Sequence, residues 1–531
     1  MELYRFLTGL LSSLPSPLVP LGLGRLAAHP TLLSPSVVAQ TSPPEPPSTV
    51  ILGAGVIGLS TAYYLALALN GTSAPKPPIV VIEPSHDVCP AASGEATGGL
   101  GDFGFSNTTS PLGELSYSLH KALAATYGGT RQYGFSDLAI YRVSTEGFGG
   151  NYSPPDSWGP AAPLRKTRAD LPDWVRPGDD WVVDMMAEAP NAAHLDPRRF
   201  CHFLRDRCKE LGVQFRFNAH ATALARSPTS EHFTSVTIEQ TTPCDPSSSS
   251  ATDDPALAAA AASEQTSAVP STQTEILPCN ALVVAAGPWT PRVLSTLFPT
   301  SAVNSKLRMN KSSSHTAGNH LLIRNPHWHH DKDDAAGVTQ VFFNNALPGG
   351  TRLDVTSFLG GYLYLGGWGA VPEELPGKAD EIAPQPGEIE AMVELARRVL
   401  DLDLDSDSDL GSAERLGGDI EIVSAGRCYR PLAEPNRPVV TRVPWGWLGE
   451  EKRRRRHDDN HHGGGDRDRT SVVDGPVSPV IGGLYINTGH NSDGVTLGPG
   501  SGKLMSELLL GVETSVPAGD FGLENERLER L

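Results

Sequence analysis

The chain reads Val50-Ile51-Leu52-Gly53-Ala54-Gly55-Val56-Ile57-Gly58-Leu59-Ser60-Thr61-Ala62 near its start, and this stretch decides the fold. A run of branched apolar residues ends in glycines spaced G-x-G-x-x-G, and an apolar helical pattern follows from Leu59 to Leu69. This order predicts a strand, a tight turn and a helix, the context that a dinucleotide-binding fingerprint requires. Gly53 permits the turn, Gly55 lets the backbone approach a pyrophosphate, and Gly58 lets the helix pack closely on the strand. The helix N-terminus offers N–H groups and a partial positive charge to the phosphates.

A carboxylate at the end of the next strand supports the same interpretation. The loop from Asn70 to Pro78 leads into the apolar strand Ile79–Ile82, which ends at Glu83. A carboxylate at this position accepts a hydrogen bond from a ribose 2′-OH and repels a 2′-phosphate. The alternative is a glycine-rich turn in an unrelated α/β protein, and the combination of strand, helix, strand and acid disfavours it.

The composition narrows the class of protein. The chain has 531 residues, a net charge of −18 and 39% hydrophobic residues. Its length predicts two or more structural units, and its acidic balance argues against a general nucleic-acid binder, whose footprint is basic. No apolar run is long enough for a spanning helix. The 6 cysteines lack metal-ligand spacing, which favours a reducing, intracellular compartment. We expect the cytoplasm, with mitochondria or another organelle as the alternative.

Several segments are expected to lie outside the ordered fold. We interpret residues 1–47 as a disordered extension rather than a targeting peptide, because Glu2 and several prolines interrupt the signal pattern. Residues 241–274 carry almost no large apolar side chain and cannot bury enough surface to order themselves. We interpret residues 450–474 as a second disordered insertion, for which a nuclear-import signal is the alternative. Separately, residues 512–531 form an acidic tail, for which we make no prediction of order or disorder.

Two further stretches bear on a binding site. The small residues of 92–101 let a ligand lie directly on the backbone, and their position shortly after Glu83 favours cofactor contact over a flexible loop. The histidines between 315 and 330 lack the spacing of a ligand helix. We therefore predict surface or pocket histidines here rather than a metal site.

The motifs and their order resemble the FAD-dependent amino-acid oxidase family, which includes D-amino-acid oxidase, glycine oxidase and sarcosine oxidase. The resemblance covers residues 48–511 apart from the insertions. It implies an α/β plus α+β fold, with a Rossmann-type FAD-binding domain that is discontinuous in sequence and a substrate domain built on a mixed or antiparallel sheet. The segments that carry it are Ile51–Ala62, Glu83, Ala92–Leu100, Val283–Trp289, Cys428–Pro431 and Gly489–Lys503. The implied FAD-binding parts are residues 48–111, 189–299 and 421–511, and the implied substrate parts are residues 112–188 and 300–420.

The resemblance also implies roles for residues around an FAD cofactor. The glycine turn faces the pyrophosphate, Glu83 the adenosine ribose and Ala221 the adenine. The small residues after Glu83 run along the flavin, and Gly287 closes the middle strand over the cofactor. The implied cofactor-binding residues are Gly53, Gly55, Val56, Ile57, Gly58, Glu83, Ser93, Thr97, Gly98, Gly99, Leu100, Ala221, Gly287, Gly494, Val495 and Thr496.

The last segment of the family resemblance, Gly489–Lys503, is expected to act on the flavin itself. We predict a helix from Ser501 to Leu510 after a turn rich in Gly and Pro. The amides of Gly494 to Thr496 are expected to oppose the negative charge that reduction leaves near flavin N1 and O2, as an oxyanion hole does. The alternative is an ordinary strand, turn and helix.

Several residues predicted to lie near the substrate have an alternative role as well. Arg430 matches the arginine that binds the substrate carboxylate in several family members, and its planar fork suits a bidentate contact; a structural salt bridge is the alternative. His490 fits the family's Gly-His near the flavin. Cys428 only partly matches the cysteine that bonds to the flavin in the sarcosine-oxidase branch, so a buried, inert thiol and non-covalent FAD are favoured. Other candidates for the pocket wall are Tyr362, Tyr364, Trp368 and Tyr429.

The activity implied by the resemblance is oxidation of the C–N bond of an amine or amino acid by hydride transfer to flavin N5. Oxygen is the expected acceptor, which gives hydrogen peroxide. One alternative is a dehydrogenase that passes electrons to a carrier, and another is a flavin-binding interaction protein with little turnover. The sequence indicates neither the substrate and its stereochemistry nor the oligomeric state.

Overall fold

The computed structural model describes most of the chain, and two predicted segments lie outside the described residues. These are the N-terminal extension, residues 1–47, and the second insertion, residues 450–474. The described residues are 48–71, 76–145, 164–176, 178, 180–227, 231–242, 271–309, 317–329, 337–344, 352–366, 373–401, 420–434, 436–449 and 479–523.

The strands and helices alternate in the first part of the chain, and strands predominate in the middle. The strands are β1 (Thr49–Leu52), β2 (Ile79–Glu83), β3 (Gly99–Gly101), β4 (Ser136–Ser144), β5 (Leu164–Lys166), β6 (Val182–Ala187), β7 (Ala192–His194), β8 (Gln214–Phe217), β9 (Ala219–Arg226), β10 (Phe233–Thr242), β11 (Ser271–Pro278), β12 (Ala281–Val284), β13 (Ala317–Arg324), β14 (Val338–Phe343), β15 (Leu353–Phe358), β16 (Tyr362–Gly366), β17 (Ile422–Tyr429), β18 (Val439–Arg442) and β19 (Gly483–Thr488). The α-helices are α1 (Val56–Asn70), α2 (Ser110–Tyr127), α3 (Gly129–Tyr133), α4 (Pro197–Glu210), α5 (Thr290–Leu297), α6 (Val303–Lys306), α7 (Pro386–Val399) and α8 (Gly494–Leu510).

The nucleotide-binding sheet has the strand order β18-β19-β12-β1-β2-β8. Strand β1 pairs in parallel with β2 and with β12, and β12 pairs in parallel with β19. Strands from the beginning, middle and end of the chain therefore form one sheet, which confirms the discontinuous domain. Each residue of β1, β2, β12 and β19 is buried, as expected for a parallel sheet that is covered on both faces.

Helices α1 and α8 pack unusually closely beside this sheet. A Cβ atom added to Gly502 would lie 2.4 Å from the backbone carbon of Ser60, and one added to Gly498 would lie 3.0 Å from a methyl group of Val56. Only glycine leaves room for this approach. The close packing brings the N-termini of both helices to the same edge of the sheet, where the parallel strands end.

A second sheet has the order β17-β13-β16-β15-β14-β4-β6-β5, and a third, smaller sheet has the order β11-β10-β9. In the second sheet, neighbouring strands run antiparallel except for β4 and β14, which are parallel. Helix α7 covers its outer face with Met392, Leu395 and Val399. The predicted second domain built on a mixed or antiparallel sheet is therefore confirmed, and its sheet is mixed. Within the described ranges, no helix is long and apolar enough to span a bilayer.

Three predicted boundaries need correction. Residues 241–242 and 271–274, which the composition assigns to a disordered insertion, instead belong to paired strands β10 and β11; residues 243–270 lie outside the described part. The last helix begins at Gly494 rather than Ser501. Strand β17 (Ile422–Tyr429), which lies in the predicted FAD-binding part 421–511, instead pairs with β13 in the second sheet. In the acidic tail, Phe521 is buried in the core and Arg437 donates hydrogen bonds to the carbonyl groups of Asp520 and Gly522.

Candidate functional site

A cavity of about 1250 Å³ lies where the parallel strands end and meet the second sheet. It extends from the glycine turn after β1 to Arg430 beyond β17. All of the residues predicted for the site line it except Gly58 and Gly98. The predicted residues that line it are Gly53, Gly55, Val56, Ile57, Glu83, Ser93, Thr97, Gly99, Leu100, Ala221, Gly287, Arg430, His490, Gly494, Val495 and Thr496.

Gly53 and Gly58 hold the turn together by close backbone contact. Gly53 has φ +111°, and a Cβ atom there would lie 2.4 Å from the carbonyl oxygen of Ala285. A Cβ atom on Gly58 would lie 1.9 Å from the carbonyl oxygen of Gly53. Gly58 therefore acts through helix packing rather than by facing the cavity. Gly53 and Gly55 line the cavity, and a Cβ atom on Gly55 would lie 3.0 Å from Ser93 Oγ.

The start of α1 is hydrogen-bonded to residues 92–101, called here the small-residue segment. The N–H of Val56 donates to Ser93 Oγ at 3.0 Å, so the protein itself satisfies one of the helix's first-turn donors. Next in the segment, Gly98 has φ +83° and its Cβ position lies 1.9 Å from the carbonyl oxygen of Leu195. Gly98 therefore turns away from the cavity, while Thr97 and Gly99 on either side line it.

Glu83 ends β2 with its carboxylate already held by the backbone. Oε2 accepts the N–H of Ala54 at 2.8 Å, and Oε1 accepts the N–H of Ser85 at 3.1 Å. Burial raises the pKa of Glu83 to about 7, against the lowering effect of these two hydrogen bonds. A carboxylate oxygen has more than one lone pair, so both oxygens can still accept from a ligand hydroxyl in the cavity.

The closing helix presents its first turn to the cavity. Gly494, Val495 and Thr496 are the first residues of α8, so their N–H groups belong to the helix N-terminus itself, with its partial positive charge. Beside them, His490 Nε2 lies 2.8 Å from Ser501 Oγ, and burial lowers the pKa of His490 to about 3. Its buried Nδ1 has no hydrogen-bond partner among the described residues.

The far end of the cavity is charged. Arg430 lines it together with Asp354 and Asp493. Burial raises the pKa of each carboxyl to about 6, and the charge of Arg430 opposes that rise. Within the described part of the chain, Arg430 forms no ion pair, whereas Arg427 binds Glu373 at 2.6 Å and Glu388 at 3.0 Å. The structural salt bridge of this motif therefore belongs to Arg427.

Of the aromatic residues proposed for the pocket wall, Tyr364 lines the cavity, and Tyr362 and Tyr429 do not. Trp368 lies outside the described residues. The hydroxyl of Tyr364 donates to the carbonyl oxygen of Glu95 at 2.8 Å, and its ring stacks on His320 with centroids 5.1 Å apart. His320 Nε2 in turn lies 2.7 Å from Glu95 Oε2. This cluster ties the second sheet to the small-residue segment.

Sequence reasoning missed Asp354, Gln340 and Arg142, which also line the cavity. Their partners explain why. Arg142 lies opposite Phe342, and Phe342 lies opposite Asp354, and β4, which carries Arg142, is distant in sequence from β14 and β15. The only local signal was a charged or amide side chain within an apolar strand, which is weak by itself. Within the described residues, no group of histidine, cysteine and acidic side chains is arranged to hold a metal ion.

Cys428 lines the cavity and is half-buried. Burial raises the pKa of its thiol, which reduces the fraction of thiolate, the nucleophilic form. The environment therefore favours an unreactive thiol.

Comparison with known proteins identifies the family. Residues 48–508 match the model of the family described as FAD dependent oxidoreductase. The chain belongs to this family. The match covers both sheets and the whole cavity wall, and the cofactor of the family is FAD.

Individual relatives are distant. A Schizosaccharomyces pombe protein named as an oxidoreductase is 24% identical over 251 residues, which is 47% of this chain and 56% of that protein, so the chain spans little more than half of it. The structure of glycine oxidase from Bacillus cereus is similar with a TM-score of 0.54 and 18% identity, over 88% of this chain and 98% of that one. The structure of L-proline dehydrogenase from P. horikoshii is similar with a TM-score of 0.57 and 12% identity, over 92% of this chain and 99% of that one. These structures support the fold.

The residues of the cavity fit FAD. The glycine turn removes side chains where a pyrophosphate needs close backbone approach, and the N-termini of α1 and α8 both border the cavity. The buried Nδ1 of His490 and the carboxylate of Glu83 are polar groups with capacity for a further partner. Glu83 suits a ribose hydroxyl, and the α8 amides suit an anionic ring edge.

Proposed function

We propose that this protein oxidises the C–N bond of an amino acid or amine, with O₂ as the electron acceptor and hydrogen peroxide as a product. The observation that carries the proposal is that one cavity joins the glycine turn and two helix N-termini to a charged end at Arg430. The first part suits a dinucleotide, and the second suits a small charged molecule.

The cofactor would lie along the line of predicted residues. Gly55 and Ile57 would hold the pyrophosphate, and Val56, whose N–H is bonded to Ser93, would lie beside it. Glu83 would hold the ribose and Ala221 the adenine. Thr97, Gly99 and Leu100 would border the flavin together with the first turn of α8. FAD, when bound, supplies the acceptor for the two electrons that leave the substrate carbon next to nitrogen.

Arg430 would bind the substrate carboxylate. Its guanidinium is a planar fork that matches a carboxylate with two hydrogen bonds. The absence of an ion pair to Arg430 among the described residues supports this role over a structural one.

Asp354 would receive the substrate ammonium group. An amino acid carries its ammonium one carbon away from its carboxylate, so a carboxyl near Arg430 complements a zwitterion. The ammonium must lose a proton before its nitrogen lone pair can assist loss of hydrogen from the adjacent carbon. The Asp354 carboxylate, with a pKa of about 6, accepts such a proton at neutral pH, and this proton then lies on Oδ of Asp354.

The proposal is tested by a substrate screen of the FAD-loaded protein under anaerobic conditions, followed by a comparison of acceptors. We expect at least one amino acid or amine to bleach the visible flavin band, and peroxide to form when air is admitted. Reduction of an added dye with no peroxide would support a dehydrogenase instead. Failure of the entire panel to bleach the flavin would favour an interaction protein with little turnover.

A further inference from the structure

Helix α8 is interrupted in its second turn by Pro499. Proline has no N–H, so the usual hydrogen bond from residue 499 to the carbonyl oxygen of Val495 is missing. An unpaired carbonyl group in a buried helix is costly. The first turn of α8, which lines the cavity, therefore depends on partners from outside the helix.

His120 on α2 supplies the first of these partners. Its Nε2 lies 2.9 Å from the carbonyl oxygen of Val495, and His120 is fully buried. A carbonyl oxygen only accepts, so Nε2 carries the proton. Burial lowers the pKa of His120 to about 4, and the ring is therefore neutral at pH 7. The peptide that it holds by its carbonyl oxygen is the one whose N–H belongs to Thr496.

Ser116, one helical turn before His120, supplies the second partner. Its hydroxyl donates to the carbonyl oxygen of Thr496 at 2.6 Å and accepts the N–H of Gly500 at 2.9 Å. It thus bridges the two groups that would bond to each other in an uninterrupted helix. A Cβ atom on Gly500 would lie 2.9 Å from that of Ser116, so glycine is needed for the two helices to come this close.

The supported peptides are the ones that face the site. Val495 and Thr496 line the cavity, and the buried Nδ1 of His490 beside them has no partner among the described residues. The first turn of α8 is therefore the part of the helix that a ligand in the cavity would meet. The side of the peptides away from the cavity is held by α2, and the side towards the cavity carries the N–H groups.

We propose that His120 and Ser116 are positioning residues that hold the first turn of α8 so that its N–H groups face the flavin and favour its reduced form. The inference rests on the FAD site of the proposed function and not on the substrate. A helix N-terminus carries a partial positive charge, which stabilises a ring that gains negative charge on reduction. Loosening the peptides would weaken this effect.

The test is the reduction potential of the purified, FAD-loaded protein, titrated with redox dyes in the absence of substrate. For His120→Leu and Ser116→Ala we expect the equilibrium between oxidised and reduced flavin to move about tenfold towards the oxidised form, which for two electrons is about 30 mV more negative. His120→Gln places an amide N–H near the position of Nε2 and is expected to retain a potential close to that of the wild type.

Ser118→Ala is the matched control, because Ser118 lies on the same helix with an exposed side chain whose hydroxyl donates to the carbonyl oxygen of Leu115. Its potential should equal that of the wild type. Folded, FAD-loaded Ser116→Ala and His120→Leu proteins with unchanged potentials would overturn the proposal. If His120→Leu does not fold, Ser116→Ala decides the question alone. Because no substrate is used, failure here is distinct from failure of the substrate screen.

Discussion

The carboxylate of Glu83 accepts the N–H of Ala54, which lies between the first two glycines of the turn, at 2.8 Å. The acid at the end of β2 therefore also fixes the loop that follows β1. Its second oxygen accepts the N–H of Ser85, so both oxygens face donors from the protein. One carboxylate connects the two loops that border the nucleotide end of the cavity.

Glu83→Gln should weaken FAD binding by about tenfold or more, because the amide NH₂ group must face one of the two backbone donors and a buried hydrogen bond is lost. The dissociation constant of FAD from the apoprotein, measured by quenching of flavin fluorescence, checks this. Glu434→Gln, a substitution that lies away from the cavity wall, serves as the control. Equal affinity of Glu83→Gln and wild-type protein would show that Glu83 has no part in the site.

The pH dependence of stability offers a second test of Glu83. Its pKa is about 7 in the folded protein and 4.5 in the unfolded chain, so the folded state binds more protons than the unfolded chain between these values. The contribution of Glu83 is therefore fully present below pH 4.5 and is lost as the pH rises to about 7. It amounts to at most about 3 kcal/mol. Denaturant unfolding of the apoprotein from pH 5 to pH 8 should show a steeper loss for the wild type than for Glu83→Gln. Parallel curves of unfolding free energy against pH for the two proteins would contradict this role of Glu83.

Arg430→Ala should raise KM for a carboxylate substrate by about 10- to 100-fold, because a charge-assisted hydrogen bond contributes about 1.5–3 kcal/mol. The KM of Arg430→Lys should lie between those of the wild type and of Arg430→Ala, since a single ammonium group cannot form two parallel hydrogen bonds to a carboxylate. Steady-state kinetics with the best substrate of the screen measure the effect. Arg398→Ala, an exposed arginine on α7, is the control. Unchanged KM in Arg430→Ala would exclude the carboxylate contact.

Asp354→Asn should remove the rise of kcat/KM with pH on the acidic side of the profile. In the wild type, kcat/KM should rise as the pH passes about 6, the pKa of Asp354, because a base acts only when deprotonated. The variant should have a lower rate without that rise. Asp493→Asn is the control, since the pKa of Asp493 is also about 6. Loss of the rise in the Asp493 variant alone would assign it to that residue.

FAD should be released when the protein is precipitated with acid, because the raised pKa of Cys428 disfavours a covalent bond to sulfur. Absorbance of the supernatant and of the washed pellet decides it. Yellow colour that stays with the wild-type pellet but not with a Cys428→Ala pellet would show a covalent link.

The sequence was most informative where structure is local. Gly53 to Gly58 and Glu83 are read within one strand, turn, helix and strand, and the contacts of Gly58 with Gly53 and of Glu83 with Ala54 lie inside that unit. Asp354 could not be found in this way, because its position depends on the pairing of β4, β14 and β15, which the sequence does not show. The polar strand ends at 241–242 and 271–274 were missed because they are held by cross-strand pairing rather than by burial.

The start of α8 at Gly494, rather than at the predicted Ser501, has a related reason. Its first residues include Gly494, Gly498, Pro499 and Gly500, which have low helix propensity. The side chain of His120 replaces the hydrogen bond that Pro499 prevents, and the side chain of Ser116 bridges Thr496 and Gly500. These contacts join residues far apart in the chain and leave no local pattern.

The central claim is that the cavity holds FAD at one end and an amino acid or amine at the other. The most direct measurement is the visible absorption spectrum of the FAD-loaded protein, recorded anaerobically before and after addition of a panel of amino acids and amines. We expect the flavin band to be lost with at least one compound, and to be lost more slowly in Arg430→Ala when that compound carries a carboxylate. A yellow protein whose flavin band no compound removes would contradict the claim.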